Sequence, residues 1–362
     1  EVTGVLLALL TRKHILLVGP RGTAKSLLLR LLTSAIVGAH YWELLFGKFT
    51  TYEQVFGPIS VKGLQEDSYR RVTTGKLPEA HLAFADEIFK SNNAIQNSML
   101  TAINERLFHN DGAPAKIPLE VFMGASNEIP TDETLAAFYD RFVLRFALKY
   151  IAEPSHFVAM LAGPKGFDDF ATRVTVRLTL DEVHAAQDEV KAVNVPEPVL
   201  EGMATIRQTL ANQGVQPSDR RYNDSVAVIQ AKAWMQGRSE AIIDDLSVLT
   251  NVLWDDPQHK GLVQGVVLEL ANPLLKQAEE QHDAFQVAWA NLQKVEVGKE
   301  RTMSAVEVLS KVNGALKKLE EIKAVGEKSA MDMTLVDQYL AAGESIKKRV
   351  QGDYLGLFDK KK

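Results

Sequence analysis

The stretch LLVGPRGTAKSLLLRLL, residues 16–32, constrains the fold more than any other part of the sequence. A short apolar run ends in Gly19, a glycine-containing loop follows, and a leucine-rich run after Lys25 and Ser26 favours a helix. Buried parallel strands are apolar throughout, and a strand, a loop and a helix in this order form a phosphate-binding loop. The sequence therefore predicts a parallel α/β sheet with a phosphate site at the end of its first strand.

The loop departs at one position from the usual pattern G-x-x-x-x-G-K-[ST], because Ala24 occupies the place of the second glycine. We expect Ala24 to open the helix with a negative φ, which alanine adopts freely, while Gly19 and Gly22 form the tight turn. Lys25 is then expected to contact the β- and γ-phosphates of a nucleotide, and Ser26 to bind Mg²⁺. The alternative is a chance pair of glycines before a helix. The predicted nucleotide-binding residues are Gly19, Pro20, Arg21, Gly22, Thr23, Ala24, Lys25, Ser26 and Leu27.

Two adjacent carboxylates end a second apolar run, AHLAFADEIF, residues 80–89. Two charges at the end of a buried strand are costly unless each has a partner. Mg²⁺ held through Ser26 and Asp86 would account for the first carboxylate, and polarisation of an attacking water by Glu87 for the second. The alternative is a solvated acidic pair at a strand end.

A third apolar run, LEVFMGASN, residues 119–127, ends in an amide side chain. Asn127 at the tip of a strand beside the phosphate-binding strand is expected to orient water or to contact the γ-phosphate. Asparagine also favours turns, so a simple turn residue before EIP is the alternative. The order of the three motifs favours the functional interpretation.

These motifs in this order resemble those of AAA+ ATPases, and the sequence is similar to the MoxR family, most closely to its RavA (regulatory ATPase variant A) type. The segments that carry the resemblance are GPRGTAKS, FADEIFKSN, ASNEIP, DRFVLRF, PSDRR and LWDDP. It covers about residues 1–260 and is weak over residues 261–362. The resemblance implies Mg²⁺-dependent ATP hydrolysis by a homo-oligomeric ring, expected to be a hexamer. It also implies a chaperone-like role on protein partners that carry von Willebrand factor A domains.

Two pairs of arginines are further candidates for contact with the nucleotide. Arg141 and Arg145 in DRFVLRF would share a face if the segment were helical, because they are four residues apart. The resemblance makes one of them an arginine finger that reaches a neighbouring subunit's nucleotide, with Arg141 favoured over Arg145; an intrachain salt bridge is the alternative. In PSDRR, Ser218 can cap a helix. The resemblance gives Arg220 the sensor 2 role at the γ-phosphate, with Arg221 second, and a solvated helix start is the alternative.

The sequence divides into three predicted parts. Residues 1–150 form an α/β P-loop core of the AAA+ type with a parallel sheet, residues 151–260 an all-α lid, and residues 261–362 a helical hairpin or bundle. Asn110-Asp111-Gly112 predicts a hairpin before the strand that ends at Asn127. Two short extended runs within residues 57–80, with turn residues between them, predict another hairpin. The resemblance makes residues 65–75 a pore or partner element; an ordinary surface hairpin is the alternative.

Composition excludes several other classes of protein. The net charge of −5 gives no sign of a nucleic-acid binder, and a chain without cysteine has no disulfide or thiolate metal site. No apolar run reaches the roughly 20 residues of a membrane span. We therefore expect a cytoplasmic protein. A DNA-dependent motor of the minichromosome-maintenance type and a nucleotide-gated scaffold with little turnover remain as alternative functions, although the intact Asp86-Glu87 pair speaks against the scaffold.

Overall fold

The structure is a computed structural model that describes residues 2–130, 135–152, 154–295, 299–328, 331 and 333–356. Its contacts divide the chain into two compact units. The first consists of Glu1–Leu200 and Ala211–Lys260, and the second of Glu201–Leu210 and Gly261–Lys362. The predicted core and most of the predicted lid thus share one unit, while Glu201–Leu210 of the lid belongs to the other, and the three-part division of the chain remains a prediction.

A five-stranded parallel sheet forms the centre of the first unit. The strands of the described residues are β1 His14–Val18, β2 Ile36–Val37, β3 Tyr41–Leu45, β4 Leu82–Asp86, β5 Leu107–Asn110, β6 Ala113–Lys116, β7 Val121–Ser126, β8 Phe142–Ala147 and β9 Leu178–Thr179. The main sheet has the order β3-β4-β7-β1-β8, and all its neighbouring strands are parallel. β1 and β7 are buried along their whole length, which explains the apolar runs of residues 15–18 and 121–125.

Helices cover the sheet and make up most of the remaining described chain. Their bounds are α1 Val2–Thr11, α2 Lys25–Ala35, α3 Tyr52–Phe56, α4 Val61–Gln65, α5 Asn93–Asn104, α6 Ala136–Tyr139, α7 Pro154–Ala162, α8 Gly166–Ala171, α9 Leu180–Lys191, α10 Glu197–Asn212, α11 Asp219–Met235, α12 Lys260–Ala271, α13 Pro273–Leu292, α14 Lys299–Lys328 and α15 Thr334–Arg349. Ile243–Asn251, within the predicted lid, is a 3₁₀ helix. None of the described helices is long and apolar enough to span a membrane.

The hairpin predicted at Asn110-Asp111-Gly112 is confirmed as antiparallel β5 and β6. Asp111 and Gly112 have φ of 55° and 75°, as a tight two-residue turn requires.

The second predicted hairpin, within residues 57–80, is present in part. Ile59 and Arg71 form an antiparallel bridge, with hydrogen bonds from Ser60 N to Arg70 O and from Val72 N to Pro58 O, each at 2.8 Å. Between the paired runs, the Ser60 side chain accepts a hydrogen bond from Gly63 N at 3.0 Å and so starts helix α4. This segment is bound to the tip of the first hairpin, because Asp111 accepts hydrogen bonds from Tyr69 N and Ser68 Oγ at 2.6 and 2.8 Å.

The second unit is helical, as predicted for residues 261–362. Helices α13, α14 and α15 share an apolar core that includes Phe285, Trp289 and Leu319. Gly343 of α15 allows close packing, because a Cβ at this position would lie 2.7 Å from Leu316 Cδ2 of α14. The extension is therefore a packed helical unit.

Candidate active site

Three adjacent strands bring the predicted motifs together. Asp86 ends β4, Gly19 follows β1, and Asn127 follows β7, which lies between them. Because the carboxyl ends of parallel strands meet at one edge of a sheet, ligands of such folds bind there. We call this the carboxyl edge of the sheet. Residues that are far apart in the sequence thus form one candidate site.

The phosphate-binding loop has the predicted strand and helix on either side, but its backbone differs from the prediction at Ala24. Helix α2 begins at Lys25, and Ala24 has a left-handed conformation with φ of 57°. The expectation of a negative φ was wrong, because the loop turns at Ala24 before the helix starts. An alanine in this conformation costs about 1 kcal/mol relative to the right-handed one. Gly19 is required for a different reason, since a Cβ there would lie 2.6 Å from the Leu148 carbonyl oxygen.

Lys25 and Ser26 occupy the first turn of α2, where free backbone N–H groups favour an anion. The Lys25 ammonium donates a hydrogen bond to the Gly19 carbonyl oxygen at 2.5 Å. Burial lowers the pKa of Lys25, and the negative charges of Asp86 and Glu87 oppose that shift. The lysine therefore lies within the electrostatic reach of both acidic residues, as the sequence predicts for one site.

Glu87 has the most constrained side chain of the site. It is 5% exposed and has a left-handed backbone with φ of 53°. Its Oε1 accepts hydrogen bonds from Asn127 Nδ2 at 2.8 Å and from Arg21 Nε at 3.2 Å, and Oε2 lies 3.2 Å from Lys90 Nζ. Unusual backbone geometry in a buried carboxylate is frequent at functional positions. The structure thus places Asn127 against Glu87, where it can orient the carboxylate.

The residues present fit a magnesium nucleotide. The Ser26 hydroxyl and the Asp86 carboxylate are oxygen donors, which Mg²⁺ prefers. Both side chains are partly exposed, and Asp86 Oδ1 accepts one hydrogen bond, from Glu87 N at 3.0 Å. A Cβ on Gly22 would meet no atom within 4 Å, so the loop leaves open space for phosphate groups.

Arg145 is not a candidate for contact with another subunit. The segment around it is strand β8 rather than a helix, and the side chain is fully buried. Its Nη1 donates to Asp255 Oδ1 at 2.6 Å and to the Trp254 carbonyl oxygen at 2.9 Å, while Nη2 donates to the Tyr139 carbonyl oxygen at 3.0 Å. The prediction that Arg145 could act as a finger is therefore corrected: its guanidinium is part of the core.

Of the two arginines at the start of α11, one is buried and the other is exposed. Arg221 is buried and pairs with Asp140 and Asp255, each at 2.7 Å. Arg220 is exposed. Ser218 caps the helix by accepting a hydrogen bond from Arg221 N at 3.2 Å, as predicted. Arg221 is thus unavailable to a ligand, and Arg220 is the arginine of this pair that can reach one.

Arg141 and Arg220 lie together at the opposite edge of the sheet. Arg141 directly precedes β8, whose first residue Phe142 pairs with His14, the first residue of β1. The phosphate-binding loop follows the last residue of β1, about 16 Å of strand away. Burial lowers the pKa of Arg141, and the positive charge of Arg220 lowers it further, so the two guanidinium groups are neighbours. We call this the amino edge of the sheet.

An ion pair between elements supports this placement. Lys13, next to the start of β1, forms an ion pair of 2.7 Å with Asp224 of α11. The Nε atom of Arg141 is buried and has no hydrogen-bond acceptor among the described residues. No local pattern in the sequence predicts this placement, because it depends on how α11 packs against β1 and β8.

Comparisons with known proteins agree with this architecture. A family model described as the MoxR domain in the MoxR-vWA-beta-propeller ternary systems matches residues 2–188, and an AAA lid domain model matches residues 198–267. Two uncharacterized proteins of Methanocaldococcus jannaschii, MJ0079 and MJ0812, are each 30% identical over 97% of this chain, which covers 92% and 94% of their lengths. A crystal structure of a candidate ATPase from Cytophaga hutchinsonii has a TM-score of 0.58 at 16% identity, over 74% of this chain and 88% of that one.

The parallel five-stranded sheet, the phosphate-binding loop and the matching lid define an ATPase fold of the AAA+ class. Within this class, the chain belongs to the MoxR family. The predicted fold class is thereby confirmed: an α/β P-loop core is followed by a helical lid and a helical extension.

Proposed function

We propose that the protein hydrolyses ATP with Mg²⁺ in a ring of identical subunits, expected to be a hexamer, and uses this activity to remodel protein partners. The observation that carries the proposal is the separation of two sets of functional side chains. Lys25, Asp86 and Glu87 lie at the carboxyl edge of the sheet, and Arg141 and Arg220 at the amino edge. In a head-to-tail ring, the amino edge of one subunit can face the carboxyl edge of the next.

The chemistry is an in-line attack of water on the γ-phosphate. Glu87 polarises the attacking water, and Asn127 holds the Glu87 carboxylate in place through their 2.8 Å hydrogen bond. When the nucleotide binds, the Lys25 ammonium leaves the Gly19 carbonyl oxygen, binds the phosphate oxygens and neutralises part of their charge. Ser26 and Asp86 would hold Mg²⁺, which supplies charge neutralisation between the β- and γ-phosphates when bound.

The neighbouring subunit supplies the missing positive charge. A guanidinium group at the γ-phosphate can raise the rate of hydrolysis about 10³- to 10⁵-fold. Arg141 is our finger candidate, and the positive charge of Arg220 on the same subunit acts on its guanidinium group. Since both belong to the amino edge, we propose that both act on the nucleotide of the adjacent subunit.

The partner is proposed from the family. The matching model describes MoxR domains of systems that include a vWA component, so we propose a partner with a von Willebrand factor A domain. The segment of residues 65–75 and the β5–β6 hairpin, which are hydrogen-bonded to each other, are the proposed pore or partner element. The likeness to the RavA type and a cytoplasmic location remain predictions. A DNA-dependent motor is not favoured, and DNA stimulation of hydrolysis would argue for it.

The first test is ATP hydrolysis by the purified protein with and without Mg²⁺. Glu87→Gln removes the water-polarising carboxylate and is expected to lower turnover about 100-fold or more while nucleotide binding is retained. Glu321→Gln is the matched control, because Glu321 is exposed on α14 in the second unit. A parent protein without Mg²⁺-dependent hydrolysis, or a Glu87→Gln variant as fast as the parent, would contradict the proposal.

A further inference from the structure

A cavity of about 310 Å³ adjoins the phosphate-binding loop and includes a residue that no motif accounts for. Three leucines form an apolar wall, and Thr23, Ala24 and Lys25 contribute the loop. The remaining lining residue is Lys149, which follows β8. A second lysine therefore lies at the same opening as Lys25.

The backbone before Lys149 is fixed to the phosphate-binding loop. Leu148 N donates a hydrogen bond to the Val18 carbonyl oxygen at 2.7 Å, which continues the pairing of β8 with β1. The Leu148 carbonyl oxygen packs so closely on Gly19 that a Cβ there would approach it to 2.6 Å. Lys149 is the next residue, so its position is set by the loop itself rather than by a separate surface segment.

The positively charged side chains around the opening differ in whether they already have a partner. The Lys25 ammonium is bonded to Gly19 O, and the Arg21 guanidinium is paired with Glu87 at 3.2 Å. Lys149 is exposed, and none of the carboxylates in the described part of the chain forms an ion pair with it. A solvated ammonium group with no anionic partner at the mouth of a phosphate site can bind a phosphate oxygen without first breaking another contact.

We propose that Lys149 binds the phosphate chain of the nucleotide and acts as a second lysine of the phosphate site. The proposal rests on the function proposed above and adds a residue to it. Adenine is uncharged, so the ammonium group of Lys149 is attracted mainly by the negative charge of the di- or triphosphate. The apolar wall formed by Leu17, Leu28 and Leu148 is left for the uncharged part of the ligand.

The test is equilibrium binding of ADP to the full chain, which requires no turnover. Binding is measured by competition with a fluorescent ADP analogue for the parent, Lys149→Gln, Lys149→Arg, Lys25→Ala and the control Lys318→Gln. Lys318 is exposed on α14 in the second unit and does not line the cavity. Circular dichroism of each variant checks that it is folded. Adenosine is tested in parallel as the ligand without phosphates.

We expect Lys149→Gln to weaken ADP binding roughly tenfold, because a hydrogen bond to a charged group is lost. Lys149→Arg should restore most of the affinity, Lys318→Gln should match the parent, and adenosine competition should be unchanged. ADP affinity equal to that of the parent in Lys149→Gln would overturn the inference, as would an equal loss for ADP and adenosine. A parent that binds ADP no better than Lys25→Ala would instead contradict the proposed function, and this inference with it.

Discussion

Ala24 and Glu87 both have left-handed backbones at the site, with φ of 57° and 53°. Neither is glycine, so each conformation costs energy that the surrounding structure must offset. At Glu87 the conformation accompanies a burial of the carboxylate and its contact with Asn127, so the strain has a functional explanation. At Ala24 the side chain is exposed, and the loop turn is what requires the conformation.

A glycine at position 24 should therefore stabilise the protein. Ala24→Gly removes a left-handed strain of about 1 kcal/mol, and we expect the free energy of unfolding to rise by up to about 0.6 kcal/mol once the larger entropy of the unfolded chain is deducted. The midpoint of urea unfolding measures the change. Ala227→Gly, within helix α11, is the control and should lose about 1 kcal/mol. Equal losses in both variants would show that Ala24 is not strained.

The sequence could not show which arginines are buried and which are accessible to a ligand. Buried Arg145 lies four residues from accessible Arg141. Buried Arg221 directly follows accessible Arg220. Both buried arginines contact Asp255, which follows Arg145 by 110 residues. Long-range pairing of this kind leaves no local pattern. The motifs Gly19–Ser26, Asp86-Glu87 and Asn127 could be predicted because their loop and strand contexts are local.

Among the elements, strand β1 is held in place by a buried histidine at its start. The two nitrogens of the His14 ring lie 2.9 Å from the Ile103 carbonyl oxygen of α5 and 3.2 Å from Phe122 N of β7. The first contact requires Nε2 to donate, and the second requires Nδ1 to accept, so the ring is neutral. Burial, with the nearby positive charge of Arg106, lowers the pKa of His14 to about 3.

This histidine predicts a dependence of stability on pH. An unfolded histidine binds a proton near pH 6.5, whereas folded His14 does so only near pH 3, so the unfolded state binds more protons between these values. The contribution of His14 is fully present above pH 6.5 and falls by about 1.4 kcal/mol per pH unit as the pH decreases towards 3. Urea unfolding from pH 7 to 5 measures it, with His14→Gln as the reference. Equal pH dependence in both proteins would contradict the assignment.

The elements that could be predicted have local signals in the sequence. The Asn-Asp-Gly turn predicts the β5–β6 hairpin, and the apolar runs predict β1, β4 and β7. Residues 57–80 pair only in part as predicted, because the capping of α4 by Ser60 and the contacts with Asp111 decide the conformation between the paired runs. The capping is a short-range signal, whereas the contacts with Asp111 connect positions that are about 40 residues apart.

For the whole molecule, the arrangement of the two sheet edges is the feature with the largest consequence. The carboxyl edge holds the groups that we propose to bind the nucleotide and activate water, and the amino edge holds Arg141 and Arg220. Within one subunit, the length of strand β1, about 16 Å, separates the two sets. The proposed ring resolves this separation, because each site is completed by the following subunit.

The most direct measurement is ATP hydrolysis by mixed rings. Arg141→Ala subunits keep an intact phosphate-binding loop, and Lys25→Ala subunits keep the arginines. The two proteins are mixed in equal amounts while dilute and then concentrated. If arginines act between subunits, each variant alone is inactive and the mixture regains about a quarter of the parent's activity, because one site in four joins an intact loop to an intact arginine. A mixture that stays inactive, or Arg141→Ala subunits that hydrolyse ATP as fast as the parent, would contradict the account.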